Sequence, residues 1–290
     1  MNKIKIQEDV VYNNNALHDI KIIHIADIHF NINTKYQKLI SLGNKINQEN
    51  ANYVMITGDI IDSGEIIFNK EKIKELISFF KLITKNNKVI VSLGNHDIHS
   101  DYQLFFNDLS KIKNLYILDN REYFDDYIYV SGLTLPSNYY YDKLNRESVT
   151  VLNTHLDKYS NLIKGLPQNK IKIALIHSPI KLTDEKVLNR LSEFDLILSG
   201  HTHSGMVPDF LKCLFKGNIG IISPYKKLFP KIAKGKIIKE IGNKKITIII
   251  TGGVTKLSLK SAKSLSKFNF IYNISVNRII ITKKRGKDNE

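Results

Sequence analysis

A single cysteine, Cys213, stands in 290 residues, so no internal disulfide can form. That suits a reducing compartment, although an exported protein can also lack disulfides. The first residues, Met1 to Asp9, contain no apolar stretch of the kind a secretory leader needs. No apolar run approaches the roughly 20 residues that span a bilayer. No Pro/Gly/Ser-rich linker and no internal repeat divides the chain. Together these absences lead us to expect one domain over residues 1–290 in the cytoplasm, with peripheral contact to a membrane left open. Acidic residues are also scarce in one region. The net charge is +15, yet Leu211 to Glu290 alone holds 19 Lys and Arg against 3 Asp and Glu. A composition rich in Lys, Ile and Asn accounts for part of this. The alternative is a basic face for nucleic acid or an anionic membrane surface.

What is present alternates. Apolar runs at Ile20–Ala26, Tyr53–Thr57, Lys88–Leu93, Ile171–Ile176 and Asp195–Leu198 read as buried strands. Thr34–Asn50 and Glu71–Lys85 carry helical patterns; in the second, Ile73, Leu76, Ile77, Phe80 and Ile83 recur with the helical period. Strand and helix in alternation imply parallel strands with right-handed crossovers. Asp101–Ile112 reads as a helix, Leu115–Leu118 and Tyr127–Leu133 as strands, and a weak helix runs to Ile163. Short strands then follow near Ile219–Ile222, Ile237–Lys239, Ile246–Thr251, Ile271–Val276 and Ile279–Thr282, which suggests a second sheet. The expected class is α/β, with two sheets packed together and helices outside.

Five of the strands end in residues of metal-binding type: Asp27 and His29; Asp59; Asn95 and His96; His177; His201 and His203. In open α/β sheets, ligands gather at the carboxyl ends of strands. On extended backbone, residues two apart face the same side, so Asp27/His29 and His201/His203 can each aim at one place. Alone, Gly200-His201-Thr202-His203 also fits two polar turn histidines; five such strand ends suggest a common site. Asn95 and His96 are adjacent and must point apart, which suits one ligand and one group facing a substrate. Asp59 is single, and a carboxylate can bridge two cations. Mixed nitrogen and oxygen donors without thiolate favour Mn, Fe, Zn or Co over Ca or Mg.

The ordered series DxH, GDxxD (Gly58 to Asp62), GNHD (Gly94 to Asp97), a lone histidine after a strand, and GHxH resembles the calcineurin-like metallophosphoesterases, small stand-alone bacterial phosphodiesterase-like members among them. The resemblance runs from Asp27 to His203. It implies a four-layer α/β/β/α sandwich, two mixed sheets flanked by helices, that holds two divalent transition-metal ions. By motif position, Asp27, His29, Asp59 and His203 would bind one ion, and Asp59, Asn95, His177 and His201 the other. His96 would face the scissile phosphate, and Asp62 and Asp97 would orient ligands. The implied reaction is hydrolysis of a phosphate ester, a phosphodiester by preference, through in-line attack of a hydroxide shared by the two ions, with His96 assisting at the phosphate or leaving group. A nuclease of the same superfamily and a non-catalytic scaffold are the alternatives. One motif departs from the bacterial pattern GHTHGGQ: here Ser204, Gly205 and Met206 follow His203.

Other residues carry plainer expectations. His99, three after His96, is a candidate for lining the substrate pocket. His24, between isoleucines, reads as a core residue, and His155 as a surface residue. Tyr139, Tyr140 and Tyr141 read as local packing, with stacking on a base as the alternative. Neither His18 nor Cys213 belongs to a motif, and no protein partner is inferred.

Overall fold

The computed structural model describes residues 3–283 apart from 63, 99–101, 143–147, 224–227, 256, 258–268 and 270. Among these described residues, twelve strands form two sheets of six. The first sheet contains β1 (Ile4–Tyr12), β2 (Ile20–Ile25), β3 (Tyr53–Thr57), β4 (Lys88–Ser92), β5 (Leu115–Leu118) and β12 (Ile274–Thr282). Its spatial order is β1-β12-β2-β3-β4-β5; β1 and β12 run together, antiparallel to β2–β5. The second contains β6 (Arg121–Phe124), β7 (Ile128–Leu133), β8 (Ile171–Ile176), β9 (Leu196–Ser199), β10 (Gly235–Ile241) and β11 (Lys244–Ile250), in the order β10-β11-β9-β8-β7-β6. Its central strands β7, β8, β9 and β11 are parallel.

The four layers follow from period-two burial on the strands. Ile23, Ile25, Val54, Ile56, Val89 and Val91 face α1 (Tyr36–Gln48) and α2 (Lys70–Thr84), meeting Leu39, Leu42, Leu76 and Phe80. Their alternates Ile20, Ile22, Tyr53, Met55 and Ile90 turn to the other sheet and pack on Val130, Ile173, Leu175, Leu198 and Ile249. The far face of that sheet, with Ala174, Ile176, Ile197 and Ile248, lies under α5 (Val149–Lys158) and α6 (Glu185–Arg190) through Leu152, Leu156, Val187 and Leu188. Strands buried on both faces need apolar residues at every position, so these runs look continuous in sequence. Asn69 caps α2 by accepting from the Lys72 amide at 3.1 Å, and Asp184 likewise caps α6. Among the described residues, no helix is long and apolar enough to cross a membrane.

The sheets and flanking helices match the expected sandwich; several elements differ from the sequence reading. Ile219–Ile222 forms only an isolated bridge, Ile222 to Leu228, because the Ile221 and Ile222 amides donate to the Gly205 carbonyl instead of to a ladder. The two runs read at 271–276 and 279–282 are one strand. Its polar middle is accommodated by Asn277, which donates to Asp9 at 3.0 Å, and Arg278, which pairs with Glu8 and Glu49. The helix read at Asp101–Ile112 is shorter, α3 (Gln103–Leu109). Tyr139 and Tyr140 lie in a short helix, α4 (Ser137–Tyr141).

Candidate metal centre

Strands β2, β3 and β4 are parallel, as are β8 and β9, so the chain leaves each group at one rim of the sandwich. The loops that carry the polar residues are not extended. Asp27 (φ 52°), His29 (φ 47°), Asp59 (φ 53°), His201 (φ 67°) and His203 (φ 49°) are all left-handed. Such conformations cost about 1–3 kcal/mol each in a residue with a side chain and cluster at functional sites. Hydrogen bonds between loops hold them: Asp27 N to Gly58 O, His29 N to Asp59 O, and Gly200 N to His177 O, at 2.9–3.0 Å. The expected i, i+2 convergence on extended backbone is therefore replaced by tight left-handed turns. His201 and His203 consequently diverge into separate groups.

Two motif glycines are required by contact. A Cβ on Gly94 would sit 2.2 Å from Asp59 Oδ1. One on Gly200 would sit 2.4 Å from Ala26 Cβ and 2.9 Å from Asp27 Oδ2.

Among the described residues, three buried groups could hold a metal ion: Asp27, His29 and His203; Asp59, His177 and His201; and His29, Asp62 and His96. Asp59 Oδ2 connects the first two, 3.6 Å from His29 Nε2 and 3.2 Å from His177 Nε2. Ring orientation is fixed from behind. His177 Nδ1 donates to Thr57 O at 2.6 Å, and His203 Nδ1 to Thr255 O at 2.8 Å, which leaves each Nε2 as the ligand atom. His201 Nδ1 lies 3.2 Å from His177 Nε2. Both His29 nitrogens and Asn95 Oδ1 are buried without a hydrogen-bond partner. A buried polar atom left so costs about 1–3 kcal/mol, and a cation relieves that cost for neutral imidazole and amide oxygen alike. The donor set fits transition metal.

The electrostatics agree. Burial, with the His96 charge added, holds His29 well below its usual range; burial with His177 does the same for His201. Both are then neutral, the form that binds metal. Burial opposes the charge on Asp59, but His177 and His96 overcome it and hold the carboxyl well below the usual carboxylate range. Burial also pulls His177 down, and the Asp59 carboxylate outweighs it, pushing the ring up to about 9. That ion pair is the proton-filled version of the contact a shared cation would make.

The remaining expected residues support these loops. Asp97 accepts from the amides of Gly94 (2.9 Å), Ile60 (3.0 Å) and Ile61 (3.2 Å), tying the β3 and β4 loops together; burial and then Asp59 push it up to about 6. Asp62 Oδ1 lies 3.6 Å from His29 Nδ1 and 3.7 Å from His96 Nδ1. His96 Nδ1 donates to Asp62 O at 2.8 Å, and at 9% exposure His96 is the most accessible of the site imidazoles. His99 lies outside the described residues.

Two residues gain roles the sequence did not show. The Tyr140 ring packs against His201 and His177, with centroids 5.4 and 6.3 Å away. Tyr141 OH donates to Asn95 O at 2.8 Å and accepts from Asn95 Nδ2 at 3.4 Å. The one available signal was position: the three tyrosines follow β7, whose carboxyl end shares the rim. His24 is buried in the core, 2.9 Å from Thr57 Oγ1. His155 corrects the surface expectation. It is 7% exposed, its Nε2 lies 3.2 Å from Asn120 Oδ1, and burial lowers it to about 4, because that face of α5 turns toward Asn120 and not to solvent.

Comparison with known proteins gives a family. The family model for calcineurin-like phosphoesterases matches residues 20–205. An uncharacterised metallophosphoesterase of Campylobacter jejuni is 31% identical over 201 residues, 68% of this chain and 47% of the relative. One from Helicobacter pylori is 25% identical over 206 residues, 71% of this chain and 50% of the relative. The chain thus spans about half the length of these curated relatives. A dimetal phosphatase structure from Danio rerio is 12% identical, covers 82% of this chain and 88% of its own, and superposes with a TM-score of 0.50, a likeness of fold.

Proposed function

The chain belongs to the calcineurin-like phosphoesterase family, and from that premise we propose that it is a binuclear, metal-dependent hydrolase of phosphate esters that prefers phosphodiesters. The carrying observation is the position of Asp59 Oδ2 between His29 Nε2 and His177 Nε2, which joins two groups of ligand atoms through one carboxylate. Asp27, His29, Asp59 and His203 would hold one ion; Asp59, Asn95, His177 and His201 would hold the second. The donor chemistry suits Mn, Fe or Zn. Two such cations, when bound, neutralise the anionic ester and lower the pKa of water between them.

The chain's own groups do the rest. Asn95 is a neutral ligand, so the centre stays positive toward an anionic ester. Tyr141 takes up the Asn95 Nδ2 and so leaves Oδ1 for the ion. Asp62 O accepts from His96 Nδ1, which leaves Nε2 for the substrate; with a second proton on Nε2, the imidazolium donates a hydrogen bond to a phosphoryl oxygen or that proton to the leaving oxygen. Asp62 and Asp97 position the loops that bear these groups. The diester preference follows the small bacterial members that the motifs resemble. The free, exposed Cys213 suits a reducing compartment, and we place the protein in the cytoplasm.

The test is a hydrolysis screen with added Mn, Fe(II) or Zn, contrasting an aryl monoester, an aryl diester, a cyclic nucleotide, a phospholipid and single-stranded DNA. The aryl diester is expected to turn over faster than the monoester. Protein that carries two metal equivalents and cleaves none of them would reject the reading; preferential DNA degradation would replace it with a nuclease.

A further inference from the structure

Between Asp209 and Glu240 the chain holds eight lysines and no acidic residue. This segment begins just past the His203 turn and leads into β10, so it borders the metal rim. It also collects exposed apolar side chains. Phe210 is 70% exposed, Leu214 73%, Leu228 67% and Phe229 60%. These belong to one patch: the Phe215 and Phe229 rings stack at 6.5 Å, and Phe229 N donates to Ile221 O at 2.9 Å, so the two stretches lie side by side.

Beside the patch is a cavity of about 220 Å³ lined by Lys5, Lys212, Lys234, Gly217, Gly235 and Asn277. Lys234 Nζ donates to Phe215 O at 2.9 Å, which places the cavity directly behind the aromatic pair. Burial and the charge of Lys212 lower the Lys234 pKa, so the two ammonium groups sit close enough to repel. The carboxylates here are already engaged. Asp209 pairs with Lys212 and accepts from the Asn273 amide, and Asp9 accepts from Asn277 and Gln7. An anion in the cavity would relieve the lysine repulsion.

We propose that residues 209–223 and 228–234 form a docking surface for an anionic phospholipid membrane, with Phe210, Leu214, Leu228 and Phe229 entering the interface and the lysine-lined cavity taking a lipid phosphate. Exposed Phe and Leu set among lysines match the apolar and anionic layers of such a surface. Protein interfaces are depleted in lysine, and a nucleic acid leaves the bare leucines without a partner. Docking in this way turns the metal rim toward the bilayer.

The experiment is cosedimentation of the full chain with vesicles of phosphatidylcholine, with and without phosphatidylglycerol, across a salt series. Binding is expected only with phosphatidylglycerol, falling as salt rises. The Phe210→Ser/Leu214→Ser variant keeps every charge and is expected to bind at least roughly tenfold more weakly, since each apolar side chain moved out of water contributes that much. Lys5→Glu, at an exposed strand position, is expected to weaken binding several-fold. Both substitutions leave the melting temperature unchanged. Three results would overturn the proposal: no sedimentation with anionic vesicles at low salt; equal binding by the serine variant, which marks mere electrostatic adsorption; or dimerisation or DNA binding that the serine variant abolishes while vesicle binding stays absent.

Discussion

The two sheets bring different chemistry to their shared rim. The loops of the first carry Asp27, Asp59, Asp62, Asn95 and Asp97, with His29 and His96 among them; β8 and β9 of the second supply only imidazoles, His177, His201 and His203. The carboxylates alone would repel, and the imidazoles alone would give a cation no charge to meet. Hydrogen bonds crossing the seam lock the halves in register. The His201 amide donates to both Asp27 oxygens at 3.1 Å, and His177 Nδ1 donates to Thr57 O. The site is therefore a property of how the sheets pack, and what disturbs the packing disturbs the candidate metal centre.

Asp59→Asn strikes the link between halves and has the largest expected effect. Elemental analysis should find fewer than two metal equivalents, with turnover down on the order of a thousandfold; two full equivalents would remove Asp59 from the bridging position. His96→Ala takes a group from the first sheet that we propose faces the phosphate and binds neither ion. Metal content should hold while the rate on an activated diester drops roughly a hundredfold or more, and a near-normal rate would refute its role. Tyr141→Phe tests support reaching from the second sheet to Asn95. Affinity for the more weakly held ion, read by competition with a chromogenic chelator, should fall about tenfold, and unchanged affinity would leave the tyrosine as packing. Gly200→Ala drives a methyl into the seam. Urea denaturation should show a loss of about 1–3 kcal/mol.

The smallest effect lies away from the seam and serves as its control. His155 is held neutral to about pH 4 when folded, against 6.5 for the free side chain. Between those values the unfolded chain binds the extra proton, so stability falls as pH drops through that window. In chelator, His155→Gln should lose less stability than the parent between pH 7 and pH 5, by up to about 2 kcal/mol. Equal losses would mean that burial does not hold the ring neutral.

Much of this was legible in the chain. Strands buried on both faces announce themselves, and motifs that follow them inherit their rim. The unread parts have physical causes. β1, with Gln7, Glu8 and Asp9 in its middle, lacks a strand's alternation, because Asn277 and Arg278 on β12 take up those groups. The left-handed turns at Asp27, His29, Asp59, His201 and His203 leave no mark, since nothing in Asp or His demands positive φ. His155 looked exposed because its burial involves Asn120, 35 residues earlier in the chain, along with Tyr159 at the end of its own helix. The tyrosines showed composition without direction.

The place of β12 also bears on how the protein is made. It lies between β1 and β2, although its residues, 274–282, are translated more than 200 residues after β2. On the ribosome, β2 through β5 can pair as they emerge, but β2 keeps an open edge and β1 has no neighbour until residue 282 is out. An unpaired edge of this kind is what chaperones cover and what nascent chains aggregate through. The loop after β2, which carries Asp27 and His29, thus grows from a strand whose one edge stays open until β12 emerges.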